Sequence, residues 1–293
     1  MAVEINPGYM GIADVGGVGE VRFDSSSVNA RQEIEAPDLI MGDYDHDAYV
    51  YGKIDVSGSI SGPMTETFIR ADGSLISLWE WGTDRDENTG QLVNTSDIDI
   101  TYYNGRSRNF TGMEASSLGF SCASGDIAQF SIDVIGRSAG DWGTNAGGAL
   151  NPQAPAGSAL NEKLITWDEV DISGTGADEH IVSFEFSVNN NCMPIYTAGT
   201  NLGVGGLADG ISPLLVNDIR VGMQTVTGSV TFYNDEGPLD TFVEEQVPLV
   251  ITITAGLLTV QLNVLYLYPE REGRTNAYIR TIPFHGVELA VQP

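Results

Sequence analysis

Apolar and polar residues alternate strictly in several segments of the chain, and this period of two restricts the possible folds more than any other feature. In LTVQLNV at positions 258–264, apolar residues take every second place, and Thr, Gln and Asn lie between them. The same alternation occurs in four other segments: IDIT (98–101), FSIDV (130–134), FEFSV (184–188) and VTGSVTF (226–232). Successive side chains of a strand point to opposite faces, so each segment predicts a strand with one buried and one hydrated face.

Turn-forming residues separate these segments at short intervals. They cluster in five places: YNGR (103–106), SGD (124–126), NDEGP (234–238), TAG (254–256) and REGR (271–274). Short strands joined by tight turns are typical of an antiparallel sandwich or barrel. The segment 63–81 is the best candidate for a helix, with Pro63 at its start and Gly73 as an interruption. The sequence therefore predicts a mainly β protein, built from antiparallel sandwich or barrel modules with one or two short helices.

The chain is strongly acidic. Forty acidic residues against 13 basic ones give its 293 residues a formal net charge of −27 at pH 7. Because 42% of the residues are hydrophobic and only 18% are charged, the composition indicates a folded protein rather than a disordered acidic tail. A surface of this sign repels phosphate groups, which argues against specific binding of nucleic acid.

Neither a membrane span nor a secretion signal is visible. The most apolar stretch, 247–268, is interrupted by Pro248 and by several polar residues, and the first twenty residues lack a basic start followed by an apolar core. We therefore expect no contact with a membrane, and synthesis in the cytoplasm. In that compartment, Cys122 and Cys192 are expected to be buried thiols rather than a disulfide.

The patterns that carry enzyme chemistry are incomplete. Asp43, Asp45 and Asp47 begin like a calcium loop, but Ala48 and Ile54 stand where such a loop needs Gly and a bidentate Glu. The three histidines are not at metal-ligand spacing. Neither Gly-rich segment is followed by a lysine at the spacing of a nucleotide-binding loop, since the chain has only Lys53 and Lys163. We predict a protein without catalytic residues, cofactor or metal.

A carbohydrate-binding or carbohydrate-cleaving β-sandwich is the alternative from another functional class. It would use exposed tryptophans as a platform for sugar rings, and the candidates are Trp79, Trp81, Trp142 and Trp167. Packing in a core or interface explains the same residues and is preferred.

One short sequence motif occurs twice in the chain. GKIDVSGSIS at 52–61 and GMQTVTGSVT at 222–231 share a Gly, a Val and a second Gly at matching positions: Gly52, Val56 and Gly58, and Gly222, Val226 and Gly228. We interpret the two copies of this motif as equivalent strands of two related modules, and as a repeated assembly motif. The proposed division is an N-terminal arm at 1–35, a first module at 36–140, a linker at 141–163 and a second module at 164–293. One large domain stays open as the alternative.

Three longer segments resemble a known family. They are YYNGRSRNFTGMEASSLGFSCASGDIAQFSIDVIGRS (102–138), LITWDEVDISGTGADEHIVSFEFSVNNN (164–191) and PLLVNDIRVGMQTVTGSVTFYND (213–235). Their succession of strands and turns is similar to that of the tail tube proteins of tailed bacteriophages. The resemblance covers about residues 36–291, and it rests on strand and turn patterns rather than on reactive groups.

The resemblance implies a β-sandwich module with a flanking helix, in a virion protein assembled in the host cytoplasm. Such modules form stacked rings whose lumen conducts the double-stranded genome without specific binding. The implied partners are copies of the chain itself, the tape measure protein, the tail terminator and the distal tail or baseplate proteins. With two modules per chain, three chains would make a pseudo-hexameric ring; a ring of six chains is the alternative, as is another ring protein of the tail.

Carboxylates on the hydrated faces of the strands are the candidates for the lumen wall. They are Asp99, Asp133 and Glu185, which lie at polar positions of the alternating segments. An acidic wall would hold phosphates away and let DNA pass. An outer, solvated face explains the same three positions equally well, and a saline habitat is a second explanation of the acidity.

Overall fold

A computed structural model of the chain describes residues 11–35, 50–65, 76–102, 105–144, 164–175, 178–196, 216–233, 248–255, 258–267 and 279–292. These ranges consist mostly of antiparallel strands, which confirms the predicted mainly β fold. The acidic run at 43–47 lies outside the described residues, as do most of the linker and the Gly-rich segment after Tyr196.

Ten strands are described up to residue 144. They are β1 (Gly11–Val15), β2 (Gly19–Phe23), β3 (Ser25–Ser26), β4 (Asn29–Glu35), β5 (Val50–Pro63), β6 (Ser96–Tyr102), β7 (Arg106–Ala123), β8 (Gln129–Gly136), β9 (Ser138–Ala139) and β10 (Gly143–Thr144). The last of them, β10, lies within the segment 141–163 that the sequence analysis assigns to a linker.

Eight described strands follow the linker. They are β11 (Val170–Ser173), β12 (Ile181–Asn189), β13 (Met193–Tyr196), β14 (Val216–Arg220), β15 (Thr225–Tyr233), β16 (Leu249–Ala255), β17 (Leu258–Tyr266) and β18 (Ile279–Gln292). All except β13 and β14, which pair with each other, belong to one continuous sheet.

The two halves of the chain pair their strands in the same order. In the first half the order across the sheet is β4, β5, β8, β7, β6, β1, with β2 added at the end. In the second half it is β12, β15, β18, β17, β16, β11. Corresponding strands also follow each other in the same order along the chain, so β5 corresponds to β15, β7 to β17 and β8 to β18.

The two copies of the repeated motif, 52–61 and 222–231, occupy matching positions in the strand order of the two halves. Val56 in β5 lies opposite Gly136 in β8, and Val226 in β15 lies opposite Gly286 in β18. A Cβ atom added to Gly286 would lie 2.5 Å from Cβ of Val226, and one added to Gly136 would lie 3.2 Å from Cγ1 of Val56. In both places a glycine leaves room for the valine of the neighbouring strand.

The two halves meet where β7 pairs with β12. β7 has 18 residues and two irregularities: its first part pairs with β6, and its last part pairs with β12 on the same edge. Phe120 lies opposite Phe186 at this junction, and both rings belong to the shared hydrophobic core. The sheet is therefore continuous from one half to the other.

The helix α1 spans Leu78–Thr83, at the end of the segment in which a helix is predicted. Ser77 begins it with a capping box, in which its Oγ accepts from the Glu80 amide and its own amide donates to Glu80 Oε2. Its residues Trp79 and Trp81 are buried, and the ring centroids of Trp79 and Phe186 are 5.4 Å apart. Pro63 is the last residue of β5 rather than the start of a helix. Two 3-10 helices, Trp167–Glu169 and Asp178–His180, complete the described helical residues.

Residues 11–35, which the sequence analysis assigns to an N-terminal arm, form β1 to β4. β1 pairs with β6, and β3 and β4 pair with β5. Val15, Val21 and Phe23 are buried in the core. These strands are short and a Gly-rich turn separates β1 from β2, so no run of alternation is long enough to reveal them.

Candidate functional site

Six neighbouring strands present a wide polar face. Across β5, β8, β7, β12, β15 and β18, the cross-strand register aligns one row of residues: Ser61, Ser131, Gly119, Ser187, Thr227 and His285. An open groove of about 540 Å³ runs along this row. Small hydroxyl side chains from both halves of the chain therefore form one continuous surface.

Two further rows flank the first. One consists of Ser59, Asp133, Ser117, Asn189 and Thr225, and the other of Pro63, Gln129, Ser121, Glu185, Ser229 and Pro283. Most residues in these described rows are Ser or Thr, and none is Lys or Arg. We call the three rows the hydroxyl face.

The hydroxyl face carries two of the three predicted carboxylates. Asp133 Oδ2 accepts a hydrogen bond of 2.6 Å from Ser117 Oγ, and Glu185 Oε1 accepts one of 2.9 Å from Ser229 Oγ. Each carboxylate is exposed and is oriented by a serine of the adjacent strand. The structure thus brings Asp133 and Glu185 to the same surface as fixed negative charges.

Asp99 lies elsewhere. It belongs to β6, which pairs with the first part of β7 and is not one of the six strands. Asp14 of β1 lies directly opposite, and Asn109 Nδ2 donates a hydrogen bond of 2.8 Å to Asp99 Oδ1. Its side chain is exposed, but the hydroxyl face does not include it.

The repeated motif lies inside the sheet. Val56 and Val226 are buried, and β5 and β15 are each paired on both sides. Gly58 and Gly228 are approached closely by neighbouring backbone, at Val28 and Glu185 respectively. Gly52 lies in β5, whereas Gly222 precedes β15 and donates its amide to the Asn190 carbonyl.

The other side of the same strands forms the core. Its aromatic centre contains Phe120, Phe184, Phe186 and Phe284, with ring centroids 5.6 to 6.5 Å apart between neighbours. All four rings are buried. Because one face is fully used for packing, the hydroxyl face is the one available for function.

Of the four tryptophans considered as a sugar platform, Trp79 and Trp81 are buried, and Trp167 is partly buried against the hydrophobic core. Trp79 is 1% exposed and Trp81 is fully buried. Trp142 is exposed, but the guanidinium groups of Arg106 and Arg108 lie over its ring at 4.8 and 5.3 Å. These positions agree with the packing interpretation of Trp79 and Trp81.

Two buried polar residues, one in β7 and one directly after β12, were not predicted. Asn190 is fully buried, and its Nδ2 donates to the carbonyl oxygens of Gly82 and Ala115 at 2.7 and 2.9 Å. Glu114 is 5% exposed, and burial raises the pKa of its carboxyl group. The alternation of apolar and polar residues does not reveal either residue, because in the sequence a buried polar residue of an irregular strand cannot be distinguished from a polar residue in a turn.

Cys122 and Cys192 are free thiols. Burial is the main cause that raises the pKa of Cys122 to about 11 and that of Cys192 to about 12, so both are protonated at neutral pH. Within the described ranges, no group of three or more His, Cys, Asp or Glu residues could hold a metal ion. No helix in the described part of the chain is long and apolar enough to span a membrane.

A continuous antiparallel sheet with a buried aromatic face and a broad, open hydroxyl face defines a mainly β protein with a large hydrated sheet surface. The family model described as "Phage tail tube protein" matches residues 8–288, so the chain belongs to the phage tail tube protein family. It is a structural protein of the tail tube and a component of the virion tail, and it assembles with copies of itself.

One solved structure that resembles the chain is a cryo-EM structure of an extracellular contractile injection system, the PVC sheath-tube complex in its extended state. The two chains are 18% identical, the match covers 48% of this chain and 94% of that one, and the TM-score is 0.31. None of the curated proteins matches the chain.

Proposed function

We propose that three copies of this chain close into a ring of six related sheet modules, and that the rings stack into a tube with the hydroxyl face lining its lumen. The first module takes in β1 to β10 and the second β11 to β18, with the boundary inside the linker at 141–163. The double-stranded genome passes through this lumen without specific binding.

The common strand order of the two halves carries this proposal. Six equivalent positions around a ring can be filled by three chains when each chain supplies two modules. The intact junction between β7 and β12 supports the same arrangement, because it already joins two modules edge to edge within one chain. A ring of six chains would instead require each chain to occupy a single position.

The chemistry of the hydroxyl face supports a conduit. DNA is held mainly by lysine and arginine side chains that displace its counterions, and the three described rows contain neither. Asp133 and Glu185 add fixed negative charge that repels phosphate groups. Ser and Thr keep the wall hydrated, so a duplex can slide along it.

The remaining parts of the proposal concern the tail. The tube would end on the tail terminator and on the distal tail or baseplate proteins, and the tape measure protein would occupy its lumen before the genome passes. Assembly would take place in the host cytoplasm. Asp99, which lies outside the hydroxyl face, would contribute to the lumen through the adjoining part of the sheet.

Electron microscopy of the purified protein at several salt concentrations tests the proposal. Screening is needed because a charge of −27 keeps subunits apart at low ionic strength. Hollow stacked rings are the expected result, and the mass of an isolated ring should equal that of three chains of 31.3 kDa. A mass of six chains would overturn the three-chain ring, and monomers at every salt concentration would overturn polymerisation itself.

A further inference from the structure

The strands β13 and β14 form a small layer that is separate from the main sheet. Within the described ranges they pair only with each other. At the end of β13 the Tyr196 hydroxyl donates a hydrogen bond to Asp55 Oδ1 in β5, and Lys53 Nζ lies 5.5 Å from the centre of the Tyr196 ring. We call β13 and β14 together the cover, because these contacts place them over the first half of the main sheet.

Two further contacts hold the cover near β7 and β8. Asp218 Oδ1 of β14 lies 3.7 Å from Nη2 of Arg137, which directly follows β8, and Asp218 Oδ2 lies 3.5 Å from Nε of Arg220. Directly before β13, Cys192 Sγ donates at 3.4 Å to the Ala115 carbonyl of β7. The two ion pairs lie at the surface, so they add little to the stability of the docked cover.

Glu114 lies in a cross-strand row that directly follows the hydroxyl face. The last row of that face contains Ser59, Asp133 and Ser117, and the next row contains Ser57, Ile135 and Glu114. Asp133 and Glu114 belong to the same side of the sheet, because alternate residues of a strand and paired residues of neighbouring strands share a side. Asp133 is exposed, whereas Glu114 is only 5% exposed. Glu114 is therefore buried at a position that a bare sheet would leave in water.

The cover accounts for this burial. Cys192 bonds to Ala115, the residue next to Glu114, and Asp218 lies near enough to act on the charge of Glu114. Glu114 Oε1 accepts a hydrogen bond of 3.4 Å from Thr95, and its buried Oε2 has no hydrogen-bond partner among the described residues. An ionised carboxylate with one oxygen in this state opposes the docked position of the cover.

We propose that the cover is a pH-sensitive part of the fold, which rests on the main sheet while Glu114 is protonated and separates from it when Glu114 is ionised. Separation hydrates Glu114 and adds a carboxylate to the exposed side of the sheet, beside Asp133. The proposal does not depend on the three-chain ring. It is tested on the purified chain at low ionic strength, where a charge of −27 keeps copies apart.

The direction of the effect follows from the groups around Glu114. Burial raises the pKa of its carboxyl, Thr95 and Arg137 lower it less, and Asp218 adds to the rise. Cys192 brings no charge, since burial above all raises its pKa to about 12. The docked cover is therefore fully stabilised below pH 4.5, the ordinary pKa of the hydrated carboxyl, and loses this stability as the pH rises through the pKa of the covered state.

Hydrogen exchange of backbone amides tests the proposal. Protection factors of β13 and β14 are compared at pH 4 and pH 7.5, and the paired strands β12 and β15 serve as the reference for opening of the whole fold. Glu114→Gln keeps the shape of the side chain but cannot ionise. Asp171→Asn is the matched control, because it removes one exposed carboxylate in β11.

In the wild type we expect the protection of the cover to fall about ten-fold between pH 4 and pH 7.5, relative to β12 and β15, because a buried charge without a partner shifts a local equilibrium by that order. Asp171→Asn should show the same fall, and Glu114→Gln should show none. No fall in the wild type, or an equal fall in Glu114→Gln, would overturn the proposal. Tube formation is measured separately by electron microscopy, so either result leaves the proposed function to its own test.

Alkylation of Cys192 is a second measurement, and a purely electrostatic role of Glu114 would move it in the opposite direction. After burial, the charge of Glu114 is the next cause that raises the pKa of Cys192, so Glu114→Gln alone should yield more thiolate and faster reaction with iodoacetamide at pH 7.5. If ionised Glu114 releases the cover, the wild type should instead react several-fold faster than the variant, with buried Cys122 as the slow reference. Equal or faster alkylation of Glu114→Gln would contradict the release of the cover.

Discussion

Arg85 Nη1 donates a hydrogen bond of 2.7 Å to the carbonyl oxygen of Gly222, although 137 residues separate the two in sequence. Its Nη2 reaches Oδ1 of Asn190 at 3.1 Å, and Asn190 in turn holds the carbonyl oxygens of Gly82 and Ala115. This network ties the segment after α1 to the second half of the chain. It stabilises the junction between β7 and β12, because Asn190 also donates its amide to the Ser116 carbonyl, and its loss should weaken the contact between the two halves.

Replacing Arg85 with alanine should lower the free energy of unfolding by about 1.5–3 kcal/mol, the usual range for lost hydrogen bonds to a charged group. Urea denaturation monitored by tryptophan fluorescence measures it. Arg220→Ala is the matched control, because its side chain is 69% exposed and its ion pair with Asp218 is on the surface. Equal effects of the two substitutions would contradict the role of Arg85.

Gly286→Ala should destabilise the fold more than Gly136→Ala. The new Cβ at position 286 meets the stiff, branched side chain of Val226, whereas at position 136 its nearest contact is the flexible Met113 side chain. We expect a loss of about 1–3 kcal/mol for Gly286→Ala and a smaller loss for Gly136→Ala.

Thermal and urea denaturation of both variants check this order. Gly140→Ala is the control, since its added Cβ would lie 3.7 Å from the nearest atom. A double substitution of Gly286→Ala with Val226→Ala should cost less than the sum of the two single changes. Full additivity would show that the two residues do not limit each other.

The sequence predicts those strands whose two faces differ in environment. β6, β8, β12, β15 and β17 alternate clearly, because each has a core face and a hydrated face. β7 is harder to recognise, since irregularities near Gly112 and Ser116 shift the side chains from one face to the other.

The candidate site is predicted only in part, for a related reason. Polar positions in single strands identify Asp133 and Glu185, but the rows of the hydroxyl face depend on the register between strands far apart in sequence. Gly119 of β7, for example, aligns with Ser187 of β12 only because the two halves join at that edge. Local pattern contains no information about such pairs.

Glu114 should make the stability of the protein depend on pH in an unusual direction. Its Oε1 accepts a hydrogen bond of 3.4 Å from Thr95, while its buried Oε2 has no hydrogen-bond partner among the described residues. Burial raises the pKa of this carboxyl from its ordinary value of 4.5; Thr95 and Arg137 lower it less, and Asp218 adds to the rise. A raised pKa in the folded state means that the folded protein holds the proton more tightly than the unfolded chain.

The contribution of Glu114 is therefore fully present below pH 4.5 and is lost as the pH rises through the pKa of the folded state. Glutamine at position 114 cannot ionise, so Glu114→Gln avoids the stability that the wild type loses as this carboxyl ionises. The variant should therefore be more stable than the wild type at pH 7 and equally stable at pH 4. Urea denaturation between pH 4 and 7.5 measures the difference. Asp168→Asn, at an exposed position, controls for the removal of one charge, and an equal gain there would contradict the assignment.

Reversing the charge of the predicted lumen carboxylates should make the tube retain DNA. We expect tubes with Asp99→Lys, Asp133→Lys and Glu185→Lys to assemble normally, since all three side chains are exposed on strands. They should bind duplex DNA in 50 mM salt and release it in 300 mM salt, because binding through released counterions weakens steeply with salt. Virions with this tube should eject their genome more slowly than the wild type.

The control for this experiment changes the same charge at another place. Glu87→Lys, Asp141→Lys and Asp168→Lys alter three exposed residues that lie outside the six strands of the hydroxyl face. If charge on the lumen wall governs passage, only the first set should retain DNA at low salt and slow ejection. Equal retention by both sets would mean that overall charge matters and that these carboxylates do not line the path of the genome. A double variant of Asp133 and Glu185 alone then measures how much of the effect belongs to the hydroxyl face, because Asp99 lies on β6 beside it.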